Sequence, residues 1–124
     1  MKKLMVLLIT GILLTSSVVY MKSMNTKLIG KTIIIDVGHG GKDSGTVYKN
    51  IKEKDINLDI ALKLKEELIL NGVNVLMVRD GDFDLSEPNA NRRKKSDFDN
   101  RIDMINYSGA DMFLSIHINY LGDS

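Results

Sequence analysis

The chain has no cysteine, a single proline and almost no excess of either charge. Without cysteine there can be no disulfide, no thiolate zinc site and no cysteine nucleophile. An exported protein of this kind must draw its stability from core packing, a bound metal or a partner. Its 17 basic and 16 acidic residues give a formal net charge of +1. Nothing in that balance points to a nucleic-acid partner. Histidine is scarce as well, with two in 124 residues. There is no internal repeat and no low-complexity segment. The length allows one domain, and fewer than 100 residues remain for its core once the N-terminus is set aside.

What is present begins with an export pattern. Met1, Lys2 and Lys3 form a short basic region, and "LMVLLITGILLTSSVVY" follows over residues 4–20 without a charge. This reads as a signal peptide or a signal anchor. The basic flank stays in the cytoplasm, so the rest of the chain is expected to cross the membrane. The run sits near the short limit for a spanning helix, roughly 17 to 25 residues. A clean A-x-A cleavage site is missing, and Thr15-Ser16-Ser17 is a poor substitute. An uncleaved anchor is therefore preferred to a cleaved signal or a buried core helix. Residues 21–30 read as a polar linker and 31–124 as the folded part.

From Lys31 onward the periodicity alternates. Thr32–Val37 is rich in β-branched residues and ends in glycines, as a buried strand does. Residues 38–50 read as a glycine-rich loop. Residues 55–71 carry a helical period, with Ile56, Leu58, Ile60, Ala61, Leu62, Leu64, Leu68 and Ile69 on a broad apolar face. Asn71-Gly72 is a stop signal. A second strand is expected over 73–78, and a long polar stretch with Pro88 and "RRKK" over 79–95. A second helix is expected over 96–108, capped by Ser96, with Phe98, Ile102, Ile105 and Tyr107 on its apolar side. A third strand over 112–118 carries His117. This order predicts an α/β domain with a largely parallel sheet flanked by helices.

Ligands in such sheets gather at the carboxyl ends of the strands. His39 follows the first strand and His117 ends the third, so the topology brings both to one edge. Two imidazoles and one carboxylate make a zinc site when thiolates are absent. The carboxylates near His39 are Asp36, Asp43, Glu53 and Asp55. Glu53 is preferred because the loop enters the first helix there, although an acid at that place also complements the helix dipole. The glycines around His39 let backbone approach closely, or simply form a loop. Asp36 either orients a ligand histidine through a hydrogen bond or caps a turn. Asn119 is a candidate for shaping the cleft. Asp43 reads as ordinary loop chemistry, and "NRRKK" as a solvated loop rather than a binder of anionic glycan.

The stretches "IIIDVGHGGKDSG", "KEKDINLDIALKLKEEL" and "ADMFLSIHIN" resemble the N-terminal half of the zinc-dependent N-acetylmuramoyl-L-alanine amidases of the Amidase_3 type. Within that family the chain is most similar to the germination-specific amidases of spore-forming bacteria. The resemblance implies that His39, Glu53 and His117 bind Zn2+. It also implies that peptidoglycan is the substrate, cut between N-acetylmuramic acid and L-alanine in spore cortex maturation, where muramic-δ-lactam forms, and in germination. The implied location is the cell wall or forespore intermembrane space, with a membrane contact through the N-terminal segment and a helper protein of unknown identity. Val37 stands where the family usually has proline. The family's general-base glutamate lies in a late strand, which would fall beyond Ser124, so these 124 residues are expected to be nearly or wholly inactive.

Two rival readings follow. A non-catalytic, zinc-containing wall-binding or regulatory module would keep the metal for structure. A phosphate-binding α/β protein is disfavoured, because "GHGGKDSG" lacks both G-x-x-x-x-G-K-[ST] and G-x-G-x-x-G spacing.

Overall fold

The computed structural model describes residues 27–118, together with Ile9 and Ile12. The expected N-terminal membrane helix falls, but for those two isoleucines, outside the described residues. Among the described residues no helix is long and apolar enough to cross a membrane.

Strand β1 (Thr32–Val37) lies at the centre of a three-stranded sheet, between β4 (Asn74–Met77) and β5 (Met112–Ile116). Both pairings are parallel. A strand covered on both faces needs apolar side chains on both. Accordingly Ile33, Ile34, Ile35 and Val37 are all buried. The register runs from Ile33 opposite Met112 to Val37 opposite Ile116. It continues one step further, where the Gly38 N–H donates to the Ile116 carbonyl at 3.0 Å. This register sets His39 and His117 just past neighbouring strand ends.

Helix α1 (Glu53–Leu70) covers one face of the sheet. Ala61 is fully buried against Ile33, Ile35, Val37 and Val73, and Leu58, Leu64 and Leu68 pack around them. That stripe is narrower than the periodicity predicts, since Ile60, Ile69 and Leu70 are exposed. The helix ends as "NG" predicts. Gly72 takes φ +78°, its N–H returns to Ile69 and the Val73 N–H returns to Leu68, which satisfies the last carbonyls.

The glycine loop holds an element that its sequence hides. Strands β2 (Val47–Tyr48) and β3 (Ile51–Lys52) form a small antiparallel hairpin, with Lys49 at φ +54° in its two-residue turn. Neither turn residue is glycine, so the usual signal is absent.

Helix α2 (Arg93–Tyr107) starts three residues before the predicted boundary. Ser96 does not cap it; its hydroxyl accepts the Glu87 N–H from inside the first turn. The run "RRKK" consists of good helix formers. Arg93 adds a tether, pairing with Asp84 and Ser86 of the preceding loop. The predicted apolar side is mostly turned outward, with Phe98, Ile102 and Tyr107 exposed. What binds α2 to the sheet is Arg101, a buried guanidinium bonded to Asp36 and to the Val37 and His39 carbonyls.

Candidate metal centre

The centre forms where three local structures meet. The first is the turn after β1. His39 sits at φ +61°, a left-handed conformation that costs a non-glycine residue free energy. Two buried arginines hold this turn. Arg79 donates to the carbonyls of Val37 (3.0 Å), Gly38 (3.0 Å), Lys54 (2.9 Å) and Gly81 (2.9 Å). Arg101 holds the Val37 and His39 carbonyls, each at 2.8 Å. Burial, with the neighbouring positive Arg101, draws the Arg79 pKa below the ordinary arginine value. Nothing in the polar stretch 79–95 announces Arg79, because bonds to backbone carbonyls leave no pattern in a sequence.

The second structure is the start of α1. Glu53 is its first residue, and the carboxylate is nearly buried. One oxygen accepts the Thr46 N–H at 2.9 Å and the other the Ile118 N–H at 3.2 Å. The third is the end of β5, which delivers His117. Glu53 lies between the two histidines, 3.2 Å from His39 Nε2 and 3.1 Å from His117 Nδ1. The rings meet edge to face, with centroids 4.8 Å apart. One ligand atom from each of the three residues lies within 4.8 Å of the other two.

Two glycines make that approach possible. A Cβ at Gly38 would collide with the His117 ring. A Cβ at Gly45 would collide with the His39 ring and the Glu53 carboxylate, and Gly45 also needs its φ of +63°. The close-approach reading of the glycines around His39 thus has definite partners.

Asp43 is the residue whose role sequence reasoning missed. Its carboxylate meets His39 Nδ1 at 2.8 Å and the Lys94 ammonium at 3.1 Å. Asp36, the acid expected to orient a histidine, is instead engaged by Arg101 at 2.7 Å and Ser115 at 3.1 Å. Its carboxylate thus lines the same cleft as His39 and His117 but bonds neither ring. The only clue to Asp43 is its spacing, four residues after His39 within a loop that reverses direction. Asn57, fully buried and one helical turn after Glu53, donates to the Gly38 carbonyl at 3.2 Å and was equally unforeseen. Asn119 lies outside the described residues.

The electrostatics suit a cation. Burial raises the Glu53 pKa, but the Thr46 N–H, His117 and His39 outweigh it and bring the value from 4.5 to about 2. For Asp43, burial is likewise outweighed by His39, Lys94 and the Gly45 N–H, and the value falls from 3.8 to about 2. His39 therefore faces an ionised carboxylate at each ring nitrogen. A neutral imidazole donates from only one of them. With Nδ1–H given to Asp43, the Nε2 lone pair points at Glu53, and only a proton or a metal cation relieves that contact. The donor set of two imidazoles and a carboxylate fits zinc. A cleft of about 340 Å³ opens over the cluster, with Phe98 and Phe113 among its walls.

Comparison with known proteins finds relatives in both sequence and structure. The family profile of the N-acetylmuramoyl-L-alanine amidases matches residues 33–124. The germination-specific N-acetylmuramoyl-L-alanine amidase of Bacillus subtilis is 39% identical over 101 residues, covering 79% of this chain and 43% of that protein. The amidase LytC of the same organism is 34% identical over 98 residues, covering 77% of this chain and 17% of LytC. Among solved structures, the CwlD amidase of Clostridioides difficile, in complex with the GerS lipoprotein, superposes with a TM-score of 0.72. It is 40% identical, and the match covers 77% of this chain and 51% of CwlD. The chain thus spans less than half the length of these curated relatives and about half of CwlD.

Proposed function

Because the chain belongs to the N-acetylmuramoyl-L-alanine amidase family, we propose that it supplies the zinc-holding half of a peptidoglycan hydrolase. The bond cut is the amide between N-acetylmuramic acid and L-alanine. The observation that carries this reading is the convergence of His39, Glu53 and His117. His39 offers Nε2, its other nitrogen being tied to Asp43. His117 offers Nδ1 and Glu53 a carboxylate oxygen. Zinc held there supplies Lewis acidity, which lowers the pKa of water toward 7 and polarises an amide carbonyl. Arg79 and Arg101 keep the His39 turn from relaxing, and Phe98 and Phe113 wall the cleft where a glycopeptide would lie.

Likeness to the germination-specific amidase supports a role in spore cortex maturation and germination. It also supports a location outside the cytoplasm, with residues 4–20 as signal or anchor. Likeness to CwlD supports a lipoprotein as the helper. Metal content measured by plasma spectrometry tests the site. Near one zinc per chain is expected in the wild type, with loss in His39→Ala, Glu53→Ala and His117→Ala. Zinc retained at full stoichiometry by any of the three would refute the assignment.

A second reading has its own support. Among the described residues, the cleft offers no carboxylate free to move a proton. Asp43 is committed to His39 and Lys94, Asp36 to Arg101 and Ser115, and Asp97 to Arg101 and the Leu85 N–H. General-base help is worth typically about 10²–10⁴-fold in rate. A zinc-containing wall-binding or regulatory module therefore remains the alternative for these residues taken by themselves. Release of stem peptide from purified peptidoglycan by this chain alone, at the rate of its full-length relatives, would eliminate it.

A further inference from the structure

We propose that the basic groups beside the candidate metal centre form a carboxylate subsite for the peptide side of the substrate. The proposal rests on the amidase reading and adds which part of the glycopeptide is recognised. A second cleft, of about 240 Å³, is lined by Lys42, Asp43, Asp84, Arg93, Lys94 and Asp97. Asp43, Lys94 and Asp97 also line the cleft over His39 and His117, so the two clefts adjoin.

Three acids and three bases look balanced, but their free valences are not. Asp84 is taken by Arg93, by the Ser86 hydroxyl and N–H, and by the Lys42 N–H. Asp97 is taken by Arg101 and the Leu85 N–H. Asp43 is taken by His39, Lys94 and the Gly45 N–H. The cations keep unspent donors. Lys42 Nζ has no partner among the described residues. Arg93 gives Nε to Ser86 and Nη2 to Asp84, while its buried Nη1 has none. The Lys94 side chain is 82% exposed and, among the described residues, meets only Asp43. An ionised acceptor suits cationic donors best. The exposed Lys42 and Lys94 ammonium groups beside the cleft are thus open to an anion.

Its position suggests which one. Asp43 bridges Lys94 to His39 with its two oxygens, so the ammonium stands one carboxylate away from the ligand imidazole. In a stem peptide, the residue after alanine is a glutamate joined through its side chain, leaving its α-carboxylate free. That group lies two residues beyond the scissile amide, about 7 Å along an extended chain. A peptide held with its amide at the candidate metal centre would therefore bring an acid to Lys94 and Lys42.

The test is a binding titration of the zinc-loaded full chain with two fluorescent probes. One is N-acetylmuramoyl-L-alanyl-γ-D-glutamyl-L-lysine, and the other is the same compound with the glutamyl α-carboxylate converted to an amide. Exposed ion pairs are worth up to about fivefold each, so the acid should bind about tenfold more tightly. The preference should vanish in the Lys42→Ala/Lys94→Ala double variant and survive in Lys94→Arg. Raising the salt should shrink it. Equal binding of acid and amide, or a preference untouched in the double variant, overturns the subsite and leaves the amidase reading standing. Tighter binding of poly(glycerol phosphate) with no preference between the peptides also overturns it. Failure of both peptides to bind a chain that holds its zinc overturns the amidase reading along with the subsite.

Discussion

The two helices are attached to one sheet by opposite means. Helix α1 is held by apolar contact, with Ala61, Leu58, Leu64 and Leu68 against Ile33, Ile35 and Val37. Helix α2 is held by charge and backbone carbonyls, through Arg101 to Asp36, Val37 and His39, while Phe98, Ile102 and Tyr107 face outward. Apolar attachment is non-directional and tolerates small shifts. A guanidinium fork fixes positions and directions. The difference matches what each helix brings to the metal centre. Helix α1 delivers Glu53 as its own first residue, so a packed helix suffices. Helix α2 delivers none of the three candidate ligands; its Arg101 holds the carbonyl of His39, and its Lys94 holds Asp43, which bonds the His39 ring.

The largest expected effect comes from cutting the polar attachment. Arg101→Met should destabilise the chain by about 3–5 kcal/mol, because Asp36 and two carbonyls lose their partner. Denaturant titration reads this loss, and zinc affinity should fall with it. If stability drops while zinc binding stays unchanged, Arg101 serves the sheet and not the His39 turn. Cutting the apolar attachment is milder and should leave the site alone. Leu64→Ala is expected to cost about 2 kcal/mol, the low end for leucine because this one is only partly buried, with zinc stoichiometry intact. A loss of metal in this variant would show that the two attachments are not separable.

Acid should sharpen the contrast, since no titrating group lies within the apolar contacts of α1. Glu53 and Asp43 have folded pKa values near 2, below their ordinary 4.5 and 3.8. A depressed carboxylate stabilises the fold above its ordinary pKa, and that contribution is lost as pH falls toward the folded value. The melting temperature in chelator should therefore be flat above about pH 5 and decline between about pH 4.5 and 2. A Glu53→Gln variant should decline less over the same window, and an equal decline would assign the acid sensitivity elsewhere. The smallest effect belongs to the outward face of α2. Phe98→Ala should change stability by no more than about 0.5 kcal/mol, since the ring is mostly exposed. A larger loss in thermal melts would mean that Phe98 packs in solution.

The elements written as apolar periodicity were legible in the sequence. Thr32–Val37 matches its predicted bounds, and α1, β4 and β5 fall within two residues of theirs. Their order was enough to bring His39 and His117 to one edge. Features set by polar bonds between distant residues were not legible. Ser96 looked like a cap because caps are local, yet α2 begins at Arg93, tethered to Asp84. Asp36 looked like the orienting acid because it is near His39 in sequence, but Arg101 and Ser115 engage its carboxylate, and a loop reversal brings Asp43 to the His39 ring instead. Among the four nearby acids, Glu53 was preferred on the expectation that a helix starts there, and the family resemblance implied the same residue.

The histidine and glutamate at 39 and 53 come from one short stretch of chain, whereas the other imidazole follows 64 residues after Glu53. Synthesis therefore releases an incomplete set of candidate donors first. The third candidate donor comes into place only when β5 has docked beside β1, so zinc capture by the proposed site would report that this strand pair has formed.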